Sequence, residues 1–413
     1  MTPFELSVMF FLQMAFILAV CRATAWVFIK IGQSRVVSEM IAGVLMGPSL
    51  MGWMFPEFSA YLFPAESKPI LFSVAQLGLV LYMFLIGVEF DVDLIRKRVR
   101  SAASISIAGI VAPFILGGTL AYFIAHDPQL FAEKTSSLEA VLFMGAAMAI
   151  TAFPMLARII FEQGLTKTSL GTLALAAGSI DDMAAWCVLA VVLASFNSDW
   201  SIAFLAIGGG VFFAIVCLTV LRRLLQPMGE RVEKSGVISP DMLVFTLMLV
   251  MLGAWFTDFI QIYAVFGAFI MGVAMPRGKF ATELHRTMYP LTVALLLPVF
   301  FVYSGLNTKI GLVNTPALWA LTALVLLVAI AGKGVACYLA ARLSGEPHKE
   351  AMGIGTLMNA RGLMELIILN IGLERGIIEP TLFTIMVLMA VFTTLMATPI
   401  FERIYGRKEL RTG

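Results

Sequence analysis

Gly178–Trp186 reads GSIDDMAAW and sets two adjacent carboxylates, Asp181 and Asp182, inside an apolar run of helical length. Leu170–Ala177 (LGTLALAA) precedes it and Cys187–Ala194 (CVLAVVLA) follows. A charge near a bilayer centre costs at least ~2.5–3.5 kcal/mol. Neighbouring carboxylates also repel, so both do not ionise without a compensating cation. A pair in this setting calls for a cationic partner, protons or a metal ion, and each of these is ion chemistry. The bland alternative is a structural pair that caps a helix or joins two.

The rest of the chain has the composition such a helix needs. Of 413 residues, 60% are hydrophobic and 13% charged, and the mean hydropathy is +0.95. Soluble domains carry roughly 25% charged residues. The reading is an all-α polytopic membrane protein, not a soluble enzyme. A net charge of +2 gives no argument for nucleic acid. Cys21, Cys187, Cys217 and Cys337 lie far apart with no CxxC, so no disulfide framework or cysteine metal site is indicated. His126, His285 and His348 fall in predicted loops. The first apolar run lacks a basic leader and a cleavage site, and reads as a retained helix.

Thirteen apolar runs are long enough to span. They cover about Phe4–Ile29, Ser38–Trp53, Ile70–Phe90, Ser101–Ala125, Leu138–Phe161, Thr168–Phe196, Ser201–Leu221, Pro240–Thr257, Ile260–Met275, Leu284–Leu306, Pro316–Arg342, Lys349–Leu373 and Pro380–Ile404. An odd number places the termini on opposite sides. With the C-terminus inside, 21 of the 28 Lys and Arg residues fall in cytoplasmic stretches. This bias orients the chain with its N-terminus outside and its C-terminus in the cytoplasm.

A weak internal repeat is visible. The third run ends MFLIGVEFDVDLI (Met83–Ile95) and the tenth ends FFVYSGLNTKIGL (Phe300–Leu312). Seven runs of offset make the copies inverted, the usual plan of secondary transporters. The same offset pairs the fifth run with the twelfth and the sixth with the thirteenth. Both members of the first pair carry a break. Pro154, in Thr151-Ala152-Phe153-Pro154, lacks an N–H and interrupts the fifth. Asn359-Ala360-Arg361-Gly362, after Gly353 and Gly355, makes a poor helix in the twelfth. Matched interruptions point to a midplane ion site lined by unwound backbone.

Lys333, between Gly332 and Gly334, lies deep in the eleventh run. Snorkelling fits poorly, because eight residues separate it from Arg342 near the inner end. A partner for Asp181 is the better reading. Arg361 and Glu365, four apart, read as a structural salt bridge rather than ion ligands.

Together these features resemble the monovalent cation:proton antiporters, the branch holding bacterial sodium/proton antiporters, potassium efflux systems and plant cation/proton exchangers. The resemblance rests on AGVLMGPSLMG (Ala42–Gly52), FLIGVEFD (Phe84–Asp91), ITAFPMLARII (Ile150–Ile160), GSIDDMAAW and NARGLMELIILNIG (Asn359–Gly372), and covers essentially the whole chain. It implies a homodimer with a dimerisation domain and a moving core, in which discontinuous helices cross beside the aspartates. It implies that Asp182 binds cation and proton in turn. Asp181 would be the first member of the pair and Lys333 its salt-bridge partner on the proton path. Thr151 would be an auxiliary ligand, so that Asp182 and Thr151 hold the monovalent cation. Asn359, Arg361, Glu365 and Pro154 would support the site. Several members of the potassium efflux branch have Gln at the position of Asp181 and a C-terminal nucleotide-sensing domain; with Asp at 181, the expectation here is an exchanger without that gating domain.

The expected organisation is one transmembrane exchanger domain, 1–405, with inverted repeats of about 1–197 and 236–405. A linker helix, 199–225, joins them, and a short cytoplasmic tail, 406–413, follows. The expected function is secondary antiport of Na+ or K+ against protons in the cell membrane, without covalent chemistry or cofactor. The expected partners are a second copy, membrane lipid and the transported ions. Hard cations want the oxygen ligands that carboxylate, hydroxyl and carbonyl supply. Two rivals share the pattern: a sodium-coupled solute symporter, and a membrane sensor or channel subunit that has kept the fold without transport.

Overall fold

The computed structural model describes residues 2–30, 33, 35–90, 99–165, 168–197, 200–260, 262–306, 310–361 and 363–405. Asp91, Gly362 and the tail 406–413 therefore lie outside the described residues. The chain is all-helical, with a single isolated bridge, Phe131 to Ile378, among the described residues. Eight helices there are long and apolar enough to cross a membrane, and Ser137–Ala149 and Ala264–Ala274 are shorter apolar helices.

In order, α1 is Pro3–Lys30, α2 Arg35–Met46, α3 Lys68–Glu89 and α4 Val99–Ile124. Then come α5 Ser137–Ala149, α6 Phe153–Glu162, α7 Ser169–Asn197, α8 Trp200–Ile215 and α9 Arg222–Ser235. The chain continues through α10 Pro240–Phe259, α11 Ala264–Ala274, α12 Lys279–Leu291, α13 Leu297–Gly305 and α14 Pro316–Ala329. It closes with α15 Ala336–Leu343, α16 His348–Met358, α17 Leu363–Glu374 and α18 Pro380–Tyr405. Three π-helical turns, Val216–Leu221, Thr292–Leu296 and Ile330–Val335, join α8 to α9, α12 to α13 and α14 to α15.

Two departures from the sequence reading have simple causes. The seventh run does not end at Leu221 but continues through α9 to Ser235. Hydropathy marks where the apolar stretch stops, not where the helix stops. Gly236 terminates it in the left-handed region (φ 73°), its N–H donating to Val232 O. His285, read as a loop residue although the tenth run begins at Leu284, is inside α12, with Nε2 3.0 Å from Oε1 of Glu89.

The chain forms two compact units. The first comprises Met1–Leu18, Leu62–Val92 and Leu193–Tyr303. Its centre is α3 against α11, and glycine decides how closely they approach. A methyl group built on Gly87 would overlap Phe269 O, and one on Gly272 would overlap Phe84 O. Small residues let membrane helices meet backbone to backbone where no hydrophobic effect drives them together. Arg277 then ties α11 to α3, donating to Val88 O and to Val273 O. Gly87→Ala is expected to destabilise the protein by about 1–3 kcal/mol, the usual cost of overpacking. Thermal unfolding in detergent, with Gly208→Ala as control, checks this. Nothing lies within 4 Å of a Cβ at Gly208, so that change should be neutral or slightly stabilising.

The second unit comprises Ala19–Tyr61, Asp93–Val192 and Ser304–Gly413. It contains α4 to α6, most of α7, and α14 to α18. Helix α4 packs on α5 through Gly117 against Met148 and Gly145 against Phe114. The bridge at Phe131 and the bond from Thr135 Oγ1 to Ile377 O (3.0 Å) place the start of α5 beside the end of α17. Gly372 on α17 meets the ring of Phe143 on α5. Helices α5 and α17 thus run side by side in opposite senses.

Candidate functional site

Both interrupted helices lie in the second unit. Helix α5 ends at Ala149 and α6 begins at Phe153, so the gap is Ile150–Ala152. The break expected at Pro154 lies just before it, because Pro154 falls in the first turn of α6. Proline is tolerated there, since the first N–H groups of a helix have no partner within it. The second gap follows α16 and includes Asn359, Ala360 and Arg361. Asn359 caps α16, its N–H donating to Gly355 O at 3.2 Å.

Lys333 sits at the centre of this architecture and is fully buried. Its Nζ lies 2.8 Å from Oδ2 of Asp181 and donates to Gly109 O at 3.0 Å and to Ala149 O. All three ammonium hydrogens are thereby used. Each acceptor has a structural origin. Ala149 is the last residue of α5, where carbonyls have no helical donor and the helix dipole favours a cation. Gly109 lies four residues before Pro113, inside α4. Pro113 has no N–H to give the Gly109 carbonyl, so the proline frees it for the lysine. Lys333 itself occupies the π-helical turn Ile330–Val335. Gly332 admits the backbone of Pro113, and Gly334 lies beside Asn359. A Cβ on Gly332 would stand 2.9 Å from Cα of Pro113, and one on Gly334 would stand 3.6 Å from Cβ of Asn359.

Asp181 is fully buried. Its Oδ2 also accepts from the hydroxyl of Thr151, in the first gap. Its Oδ1 has no hydrogen-bond partner among the described residues. Asp182 follows on α7 and is 6% exposed. Gly178, one turn earlier on α7, lets the side chains of Leu156 and Phe153 at the start of α6 close on this helix. The structure therefore gathers Thr151, Asp181 and Lys333 into one bonded cluster at the first gap. Asn359 borders the same lysine turn from the second gap.

Arg361 and Glu365 form a second buried pair. Arg361 Nη1 is 3.5 Å from Oε1 of Glu365, and both side chains are buried. The remaining polar atoms of the pair have no hydrogen-bond partner among the described residues. The backbone of Arg361 is held instead by Thr394 of α18, which accepts from its N–H at 3.1 Å and donates to its carbonyl.

Sequence reasoning missed Pro113, Gly109 and Thr394. Pro113 carried a signal, a proline deep in an apolar helix. Gly109 and Thr394 carried none, since a backbone acceptor has no side-chain signature and threonines are common in such helices.

The family described as sodium/hydrogen exchanger, transmembrane, matches residues 15–405. The chain is 40% identical over 391 residues to the Na(+)/H(+) antiporter NhaS4 of Synechocystis sp., covering 94% of this chain and 95% of that protein. It is 37% identical to cation/H(+) antiporter 20 of Arabidopsis thaliana over 95% of its own length, spanning 48% of that protein. Its fold is similar to that of the sodium proton antiporter MjNhaP1 from Methanocaldococcus jannaschii, with a TM-score of 0.62 at 17% identity over 97% of both chains.

Proposed function

Because this chain belongs to the sodium/hydrogen exchanger family, we propose that it is a multi-pass membrane antiporter exchanging Na+ or K+ for protons at Asp182. The observation that carries the reading is the buried cluster of Thr151, Asp181 and Lys333 at a helix break, with Asp182 next in the chain. Asp181 is balanced by Lys333, and Asp182, the adjacent buried carboxylate, is the one we assign to exchanging proton for cation. Thr151 spends its hydrogen on Asp181 and keeps oxygen lone pairs for a cation. Lys333 gates the cluster, releasing Asp181 when the cation arrives.

The finer reading has thirteen crossings, an N-terminus outside and a C-terminus in the cytoplasm, and inverted repeats of about 1–197 and 236–405. The basic-residue bias supports the orientation. The similar depth of the two gaps in their helices supports the repeats. Transport is by elevator-type alternating access, a core carrying the site moving relative to a dimerisation domain of a homodimer in the cell membrane. Exchange of unequal charge would couple to voltage at about 2.3 kcal/mol per charge per 100 mV.

The test is purified protein in sealed vesicles under clamped voltage, with imposed Na+, K+ or Li+ gradients and an internal pH dye. Cation-driven proton movement is expected with Na+ or K+. Its absence with all three cations overturns the reading. Flux of an organic solute with Na+, without counter-movement of protons, favours the symporter instead.

A further inference from the structure

The two gaps are held by different chemistry. At Ile150–Ala152 the gap supplies the hydroxyl, Thr151, and the next helix, α7, supplies the acceptor, Asp181. At Asn359–Arg361 the groups held against the neighbouring helix are backbone. The hydroxyl comes from the next helix, α18. Oγ1 of Thr394 accepts from Arg361 N–H at 3.1 Å and shares its single hydrogen between Arg361 O and Ala390 O, the latter at 2.8 Å. Thr394 is fully buried. An unwound segment away from water needs such partners for both its donor and its acceptor, because an unmet buried peptide group costs as much as a lost hydrogen bond. One threonine meets both.

We propose that Thr394 is a positioning residue for the ion site. Its hydroxyl fixes the Asn359–Arg361 gap against α18. Asn359, two residues before the tethered peptide, stands beside Gly334, its Cβ 3.6 Å from where a Cβ on Gly334 would be, and the neighbouring Lys333 bonds Asp181. Gly355, at the end of α16, also abuts Gly334 O, 2.6 Å from where a Cβ would stand. A gap that slips relative to α18 displaces the lysine turn and loosens its hold on Asp181. The inference rests on the antiport reading for its functional effect, but not for its structural one.

Thr393 is the matched control. It is equally buried and adjacent in the chain, and among the described residues its hydroxyl bonds only its own helix, at Met389 O and Ala390 O. Thr394→Val keeps the shape and removes the hydroxyl. It is expected to raise the half-saturating cation concentration about tenfold, the size of one hydrogen bond to a buried peptide group. Maximal rate should stay near wild type, Thr394→Ser should restore the wild-type value, and Thr393→Val should leave it unchanged. Hydrogen–deuterium exchange in the same samples should rise over residues 355–365 in Thr394→Val, and not over 147–155. If Thr394→Val does not accumulate as folded protein, Thr394→Ala is read against Thr393→Ala in the same two assays. Unchanged exchange over 355–365 overturns the tether. Unchanged half-saturation, or an equal rise in Thr393→Val, overturns the positioning role. A wild type without antiport defeats the proposed function, and the exchange measurement still decides whether Thr394 holds the gap.

Discussion

Asp182→Asn is expected to abolish cation-driven proton movement while the protein still folds. Asn has nearly the same shape and hydrogen-bonding reach, so packing around a residue only 6% exposed is disturbed little. What is lost is the ability to alternate between a neutral and a charged state. Asp181 cannot substitute, because one of its oxygens is committed to Lys333 and Thr151. Removing a carboxylate from the cluster also relieves like-charge repulsion, so thermal stability should be unchanged or slightly raised. The measurement is proton flux in vesicles under an imposed Na+ or K+ gradient, beside thermal unfolding of the same preparation. Flux at the protein-free background with intact unfolding is the expected result. Flux near the wild-type rate removes Asp182 from the mechanism.

The largest stability effect is expected at Lys333 and Asp181. Breaking a buried ion pair by removing one member strands the other charge, typically at about 3–5 kcal/mol. Lys333→Gln leaves Asp181 without its counter-charge, and Gln has two hydrogens for the three acceptors that the ammonium serves. Gly109 O suffers in particular, because Pro113 denies it the ordinary helical donor. Asp181→Asn leaves an ammonium facing two carbonyls and no anion. The double variant carries no unpaired charge and should recover part of the loss. A double-mutant cycle of thermal unfolding should show a coupling of about 0.5–3 kcal/mol. Additive losses would mean that the pair contributes nothing beyond its separate contacts. If Lys333 also carries a proton through the cycle, active Lys333→Gln should respond less to imposed voltage. An unchanged voltage response assigns the lysine to structure alone.

Much of this protein is legible from local chemistry. Two carboxylates in an apolar helix, a lysine deep in another and glycine or proline at matching places in two more are covalent facts. Their cost in hydrocarbon leaves few architectures to choose from. Apolar run length alone locates α3, α4, α7 and α18 to within two residues of their ends, because bilayer thickness sets how long an apolar helix must be. Hydropathy is blind once a helix leaves the apolar zone, which is why the seventh run continues past Leu221 through α9 to Ser235.

What only the tertiary structure decided is which backbone groups serve the charged ones. Proline placed a break near residue 154, but the gap lies at Ile150–Ala152 because Pro154 is accommodated in the first turn of α6. Nothing local says that the carbonyl freed by Pro113 meets an ammonium carried more than two hundred residues later, or that this ammonium sits in a π-helical turn. Nothing local says that Thr394 rather than its neighbour Thr393 reaches across to Arg361. Side-chain charge is written in the sequence. A carbonyl is present at every residue, and only packing decides which of them is left without a helical partner beside a cation.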